Sequence, residues 1–322
     1  MPASAAAERN DTVASVNPLE MIRLELQGRV RSLLTGSAEA PPRLQTRSAS
    51  DDGLFGPASV TWVVHSDASM LVGGLRALLL QTMHPQAMAG VADHSGYRAD
   101  PLGRLHRTST YVGITSFGTR SQAEAAVRQV RSVHGRVQGT APDGRAYAAN
   151  DPHLLGWVHH TLVDSFLRAY ERFGQHPLTA ADADRYVAEQ SVLADLIGAK
   201  DPAPATTKAE LRAWMAGIRP ELGADRRARE AARFLLFPPL PTPVLPAFAI
   251  TASAAAGLLP VWVRRDLWIP TVPLADAIVV RPVARAMTRA IDWVLQAPHA
   301  GNSRPTTRVG RDSFGPSPGG TA

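Results

Sequence analysis

His134 has the clearest chemical prospects of any residue in this chain, because it falls on the apolar stripe of a predicted helix. From Ser121 to Gly139, Ala123, Ala126, Val127, Val130, Val133 and Val137 recur at three- and four-residue steps, while Arg128, Arg131 and Arg136 fall on other faces. An imidazole on that stripe points inward. There it needs a hydrogen-bond partner, a metal ion or a catalytic task, since burying it dry and unpaired is costly. A histidine bonded within the core is one reading and a ligand is the other. Eight of the ten histidines, His65, His84, His94, His106, His134, His153, His159 and His160, fall between residues 65 and 160.

Most familiar reactive arrangements are missing from that stretch. There is no HExxH, no pair of ExxH helices, no nucleophile elbow and no dinucleotide glycine motif in a fitting context, so hydrolase and dehydrogenase readings lose ground. The chain has no cysteine, which excludes disulfides, thiolate metal sites and covalent or thiolate-ligated haem. What survives is one inward imidazole, a nearby basic segment and a large apolar surround, the housing of a non-covalently held haem. In that reading His134 is the axial ligand, and the helices carrying Leu78, Val130 and Val158 are the walls. Arg104 or Arg107 then meets a propionate or faces the distal side.

The elements that must position these residues are helical. A strongly buried helix is predicted over ASMLVGGLRALLLQTMH, with Leu71, Leu75, Leu78, Leu79 and Met83 on one side. Gly73 and Gly74 inside it imply a close helix crossing or a cofactor edge. Arg98 to Leu102 reads as a loop, and Pro142, Asp143 and Gly144 read as a turn. Asp151 followed by Pro152 marks the start of a long helix reaching Gly174, whose inward stripe holds Leu155, Val158, Leu162 and Phe166 with His159 beside it. Trp157, Tyr111 and Phe117 read as core. Adjacent His160, about 100° around the helix, is expected to face solvent.

Further helices are expected at Pro18 to Leu34, Thr179 to Ile197, Thr206 to Ile218, Ala224 to Leu236 and Leu274 to Leu295, the last with Pro282 near its middle. Val60 to Val64 reads as β-like or irregular. Period-two alternation is otherwise absent, so an all-α fold is expected: a single helical domain over 17–297, with disordered ends at 1–16 and 298–322.

Composition narrows the partners. At 322 residues, 45% hydrophobic and 19% charged, the chain can bury a sizeable core. The net charge of +6 is spread along the sequence, which argues against nucleic acid. The N-terminus lacks a basic stretch followed by an apolar run, so a cytoplasmic protein is expected. No charge occurs between Phe234 and Val263, but six prolines interrupt that stretch and leave too little helix for a membrane span. It is read as buried or lining a substrate entrance, with a peripheral membrane contact flanked by Arg264 and Arg265 as the alternative.

The segments GGLRALLLQTMHP, GVADHSGYRADPLGRLHRTSTYV, VHGRVQGTAPDGRAYAANDP and LLGWVHHTLVDSF resemble the catalytic domain shared by MpaB-type oxygenases and the rubber oxygenases called latex clearing proteins. The likeness runs from about Gly56 to Arg281. It implies a globin-related helical core that binds haem b and uses dioxygen on very apolar, often isoprenoid, substrates. It also implies His134 as the proximal iron ligand, with Arg104, Arg107 and Thr108 matching the distal Arg-x-x-Lys-Thr motif. His84 and His159 occupy family-typical positions and are expected in or near the pocket.

Three departures stand out. Arg107 replaces a lysine and, remaining protonated, can only donate hydrogen bonds, so it cannot cap iron. Gln138 replaces an arginine. Between Met83 and Arg104 the acidic residues are Asp93 and Asp100, with no glutamate to match the base of rubber cleavage. The expected function is therefore haem b-dependent oxidation of a hydrophobic substrate by dioxygen, with oxidative C=C cleavage as the plausible reaction. The alternative is a non-catalytic haem- or lipid-binding protein.

Overall fold

The computed structural model describes residues 25, 28, 53–96, 101–270 and 276–295. Within them the chain is helical apart from one small hairpin, so the all-α expectation holds. Of the helix expected at Pro18 to Leu34 only Glu25 and Gly28 are described, both helical, and the two terminal segments lie outside the described residues. In order, α1 is Val60–His65, α2 Ser69–Gln81, α3 Pro85–His94, α4 Pro101–Phe117 and α5 Arg120–His134. Strands β1 Gln138–Thr140 and β2 Ala146–Ala148 follow, then α6 Pro152–Phe173, α7 Ala180–Ile197, α8 Lys208–Gly217, α9 Arg226–Leu236, α10 Leu245–Gly257, α11 Val261–Asp266 and α12 Arg281–Leu295.

Helix α6 is the axis of the molecule. Asp151 accepts from the backbone N–H of His153 and Leu154, and Pro152 occupies the first turn, so the start is satisfied as the sequence predicts. The helix is buried nearly all round. One flank, with Trp157, Ala169 and Phe173, joins a core of Val72, Leu79 and Met83 from the α2 segment and alanines of α9 and α10. The other, with Val163, Phe166, Leu167 and Tyr170, joins Val64, Tyr186, Val187 and Leu211 of α1, α7 and α8.

The α2–α6 crossing is close because Gly73 permits it. A Cβ there would stand 2.8 Å from the Phe166 ring and 3.1 Å from the Phe166 Cα and the Ser165 carbonyl oxygen. Of the two readings of the glycine pair, the helix crossing is the one observed. At the same crossing Arg76 reaches Asp164 at 2.9 Å and Ser165 Oγ at 2.6 Å, and its Nε donates to the Leu258 carbonyl oxygen at 3.0 Å. Three segments are thus joined by one buried guanidinium.

Several local expectations are corrected. Val60–His65 is a helix rather than a β-like stretch: Ser59 caps it, and the Glu189 carboxylate accepts from the N–H of Val60 and Thr61 at 3.2 and 2.7 Å. Those acceptors satisfy first-turn donors that the β-branched run cannot satisfy by itself. The turn at Pro142 to Gly144 closes an antiparallel hairpin pairing Gly139 with Tyr147, and Gly144 takes φ 86.

Pro282 interrupts the last predicted helix. A π-helical turn spans Asp276–Val280, and α12 begins at Arg281 with the proline in its first turn, where no N–H is missed. The proline-rich apolar stretch is only half interior. Phe237 is 78% exposed, and Leu245 is exposed, whereas Ala252, Ala255 and Leu259 are buried against α2. No helix among the described residues is long and apolar enough to cross a membrane.

Candidate functional site

Helix α5 ends on His134. A capping box of Thr119 and Gln122 starts the helix, Ala123 and Val127 are buried, and the last turn bonds onward to the hairpin. The predicted stripe fades toward that end, where Val133 is exposed. His134 itself is half-buried, with its Nδ1 enclosed and without a hydrogen-bond partner. Burial lowers its pKa, against an opposing hydrogen bond between the ring and the Ala149 backbone, so the ring is neutral at neutral pH. A neutral imidazole with an unused nitrogen is what an axial iron ligand requires. In this respect the residue fits the group expected there.

The distal candidates lie on α4, which packs on α5 directly across the Gly118–Thr119 connection. Arg107 and Thr108 are exposed on it, while the Arg104 side chain lies outside the described residues. Gln138 falls in β1, beyond the end of α5, so it does not share a helix face with His134. His159 is buried on α6, and desolvation lowers its pKa to about 3.

His160 corrects the sequence expectation. It is buried rather than solvent-facing, with Nδ1 2.7 Å from the Gly156 carbonyl oxygen and Nε2 accepting from the Ala205 N–H at 3.1 Å. Those partners fix the neutral Nδ1–H tautomer. Its ring stacks on Trp214 at 4.1 Å, and that indole, 54 residues away, supplies the interior neighbour that helical spacing does not reveal. Of the aromatic residues read as core, Trp157 is fully buried, while Tyr111 and Phe117 are partly buried against neighbouring helices.

His84 forms a cluster with His153 and Glu221. It precedes Pro85, which holds it extended at φ −91 and ψ 113, and its side chain is fully buried. Both ring nitrogens are enclosed and lack hydrogen-bond partners. Glu221 Oε2 stands 3.7 Å from His84 Nε2 and 2.8 Å from His153 Nε2. Donor atoms of all three residues lie within 4.8 Å of one another. Burial lowers the His84 pKa to about 4, although Glu221 opposes the shift.

This cluster is assembled by long-range contacts. Glu221 ends a short 3-10 turn at Arg219–Glu221, and the Gly223 N–H donates to the Met83 carbonyl oxygen at 2.8 Å, drawing the turn onto the residue before His84. Trp157 and Trp214, stacked at 6.5 Å, flank the two histidines. Of these ligand candidates the sequence singles out His84 alone. His153 carries a weak signal in the histidine cluster and the Asp-Pro-His helix start, and Glu221 carries none.

A second missed network clasps the hairpin to α3. Tyr147 donates to Asp93 at 2.9 Å and lies 3.2 Å from His94 Nε2, while Arg227 of α9 donates to Asp93 at 3.1 Å. It holds in place the hairpin whose Ala149 end abuts His134.

An uncharacterised protein of Mycobacterium bovis and one of Mycobacterium tuberculosis are each 34% identical over 84 residues, which is 26% of this chain. The chain spans 32% of the length of either relative. No solved structure matches it. A family model does match, over residues 62–293, and that span holds α4, α5, α6 and both histidine groups. The chain belongs to the family described as ER-bound oxygenase mpaB/B'/Rubber oxygenase, catalytic domain.

Proposed function

We propose that this chain is a haem b-dependent oxygenase that acts with dioxygen on a hydrophobic, isoprenoid-like substrate, with His134 as the iron ligand. Membership of an oxygenase family supports the reaction class. The observation that carries the ligand assignment is the enclosed, unpartnered Nδ1 of a neutral His134 ring at the end of α5. When bound, haem b supplies the activation of dioxygen that no side chain of the chain provides.

The protein's own groups have defined tasks. His134 offers a lone pair because burial keeps its proton off. Arg104 and Thr108 donate hydrogen bonds on the oxygen-binding face, where donors stabilise developing negative charge. Arg107 keeps its proton and acts as a fixed cation, binding an anionic group rather than metal. His159, neutral and buried, contributes a pocket wall without adding charge. The exposed Phe237, Leu245 and Val261 offer apolar surface for an incoming hydrophobic molecule or a peripheral membrane contact.

The test is dioxygen uptake by the purified, haem-supplemented protein with short polyisoprenes, followed by chromatography of carbonyl products. Consumption with carbonyl formation is expected, and Thr108→Ala should slow it by roughly 100- to 1000-fold, the range seen when one transition-state donor is removed. Haem-loaded protein that consumes no dioxygen and forms no product would mark a ligand carrier instead, the reading favoured by Arg107 standing in the place of a lysine.

A further inference from the structure

We propose that His84, His153 and Glu221 bind a divalent first-row transition ion, at a site separate from the His134 position and independent of any haem. Two imidazoles and one carboxylate form a nitrogen and oxygen donor set suited to Zn2+, Fe2+ or Co2+. Ligands held about 2.0–2.2 Å from one ion stand roughly 3–3.5 Å apart. The observed 2.8 Å and 3.7 Å separations from Glu221 Oε2 bracket that range, and all three donor atoms lie within 4.8 Å of one another, so ligation draws the two imidazoles in around Glu221.

His84 supplies the independent argument. The His153–Glu221 hydrogen bond accounts for that pair as an ordinary polar contact. It leaves His84, whose side chain is 0% exposed, with Nδ1 enclosed and without a hydrogen bond and with Nε2 in no closer contact than the 3.7 Å approach to Glu221. Such a group is destabilising unless a ligand or ion completes it. A cation near Nε2 removes the share of that cost that falls on Nε2 and takes its charge compensation from Glu221. Arg145, whose charge is felt at His84, is already paired with Asp143 at 2.7 Å.

The surroundings resemble a binding site more than a structural knot. His153 is 34% and Glu221 38% exposed, so the cluster is closed behind His84 and open toward solvent. An ion enters from that side and keeps at least one coordination position for water or a small ligand, as three-ligand sites do. Each ligand is also held from behind: His84 by Pro85, His153 by the Asp151 cap, and Glu221 by the Gly223–Met83 bond.

The experiment is titration of chelator-stripped full-length protein with Co2+, followed by visible absorption, and with Zn2+, followed by calorimetry. One equivalent of each should bind, with Zn2+ displacing Co2+. His153→Ala and Glu221→Gln, both at half-exposed positions, should each weaken Zn2+ binding at least ~100-fold, more than loss of a merely supporting residue. His134→Ala should leave it unchanged, which separates this site from the haem assignment. Folded wild-type protein that takes up neither ion, variants that bind Zn2+ as tightly as wild type, or loss of Zn2+ binding in His134→Ala would overturn the proposal.

Discussion

Asp164 shows how far a single buried charge can govern this structure. It receives Arg76 at 2.9 Å in the interior and Arg168 at 2.8 Å from the exposed side, while Arg76 also joins Ser165 and Leu258. Asp164→Asn leaves the Arg76 guanidinium buried without its counter-charge, and removing one partner of such a pair typically costs about 3–5 kcal/mol. Chemical denaturation of this variant should show that loss, and a change below about 1 kcal/mol would mean the pair contributes little. Residue by residue, the sequence is uneven in what it reveals. His134 stands out because helical spacing is a local property. His153 and Glu221 do not, since 68 positions separate them and only the folded chain brings their side chains to 2.8 Å. The burial of His160 escapes the sequence for the same reason: helical spacing cannot report Trp214 and Ala205, the distant neighbours that bury it.

Gly73 plays the corresponding part among the helices. The α2–α6 crossing has no room for a methyl group, because the atoms facing it include the backbone of Ser165 and Phe166, which cannot rotate away. Gly73→Ala gains helix propensity but is overpacked, and a net loss of about 1–3 kcal/mol is expected. Thermal melts of this variant beside Gly74→Ala make the comparison internal, since a Cβ at Gly74 meets only the Phe166 ring at 3.9 Å and should be tolerated. Equal effects at the two positions would refute the crossing argument. Elements with their own start signals are legible in sequence, as α6 with Asp151-Pro152 and α7 with Thr179 show. Helix α1 is not legible, because its Val-Thr-Trp-Val-Val run suits a strand until Glu189 of α7 supplies acceptors for its first turn. The hairpin escapes for another reason: three-residue strands are too short to show alternation.

The whole molecule buries neutral histidines and should be acid-labile as a result. His65, bonded to Ser116 and Tyr186, and His159 both have pKa values lowered by burial to about 3, against about 6.5 for an imidazole in water. The unfolded chain therefore takes up these protons first. Stability is complete above pH 6.5 and falls as pH drops toward 3, by roughly 2 kcal/mol per histidine at pH 5. Melting temperatures at pH 8 and pH 5 should differ accordingly, and His65→Gln should flatten the dependence. A pH-independent melt would contradict these depressed values. At this scale the helical class is legible from periodicity, whereas the burial of α6 on nearly every side depends on a topology that no local pattern encodes. The proposed haem b would be held by His134. That assignment is tested most directly by the visible spectrum and pyridine haemochrome of haem-supplemented wild type and His134→Ala. One haem b per wild-type chain and none in the variant is the predicted result. Haem retained unchanged by His134→Ala, or a wild-type protein that takes up none, would contradict the account.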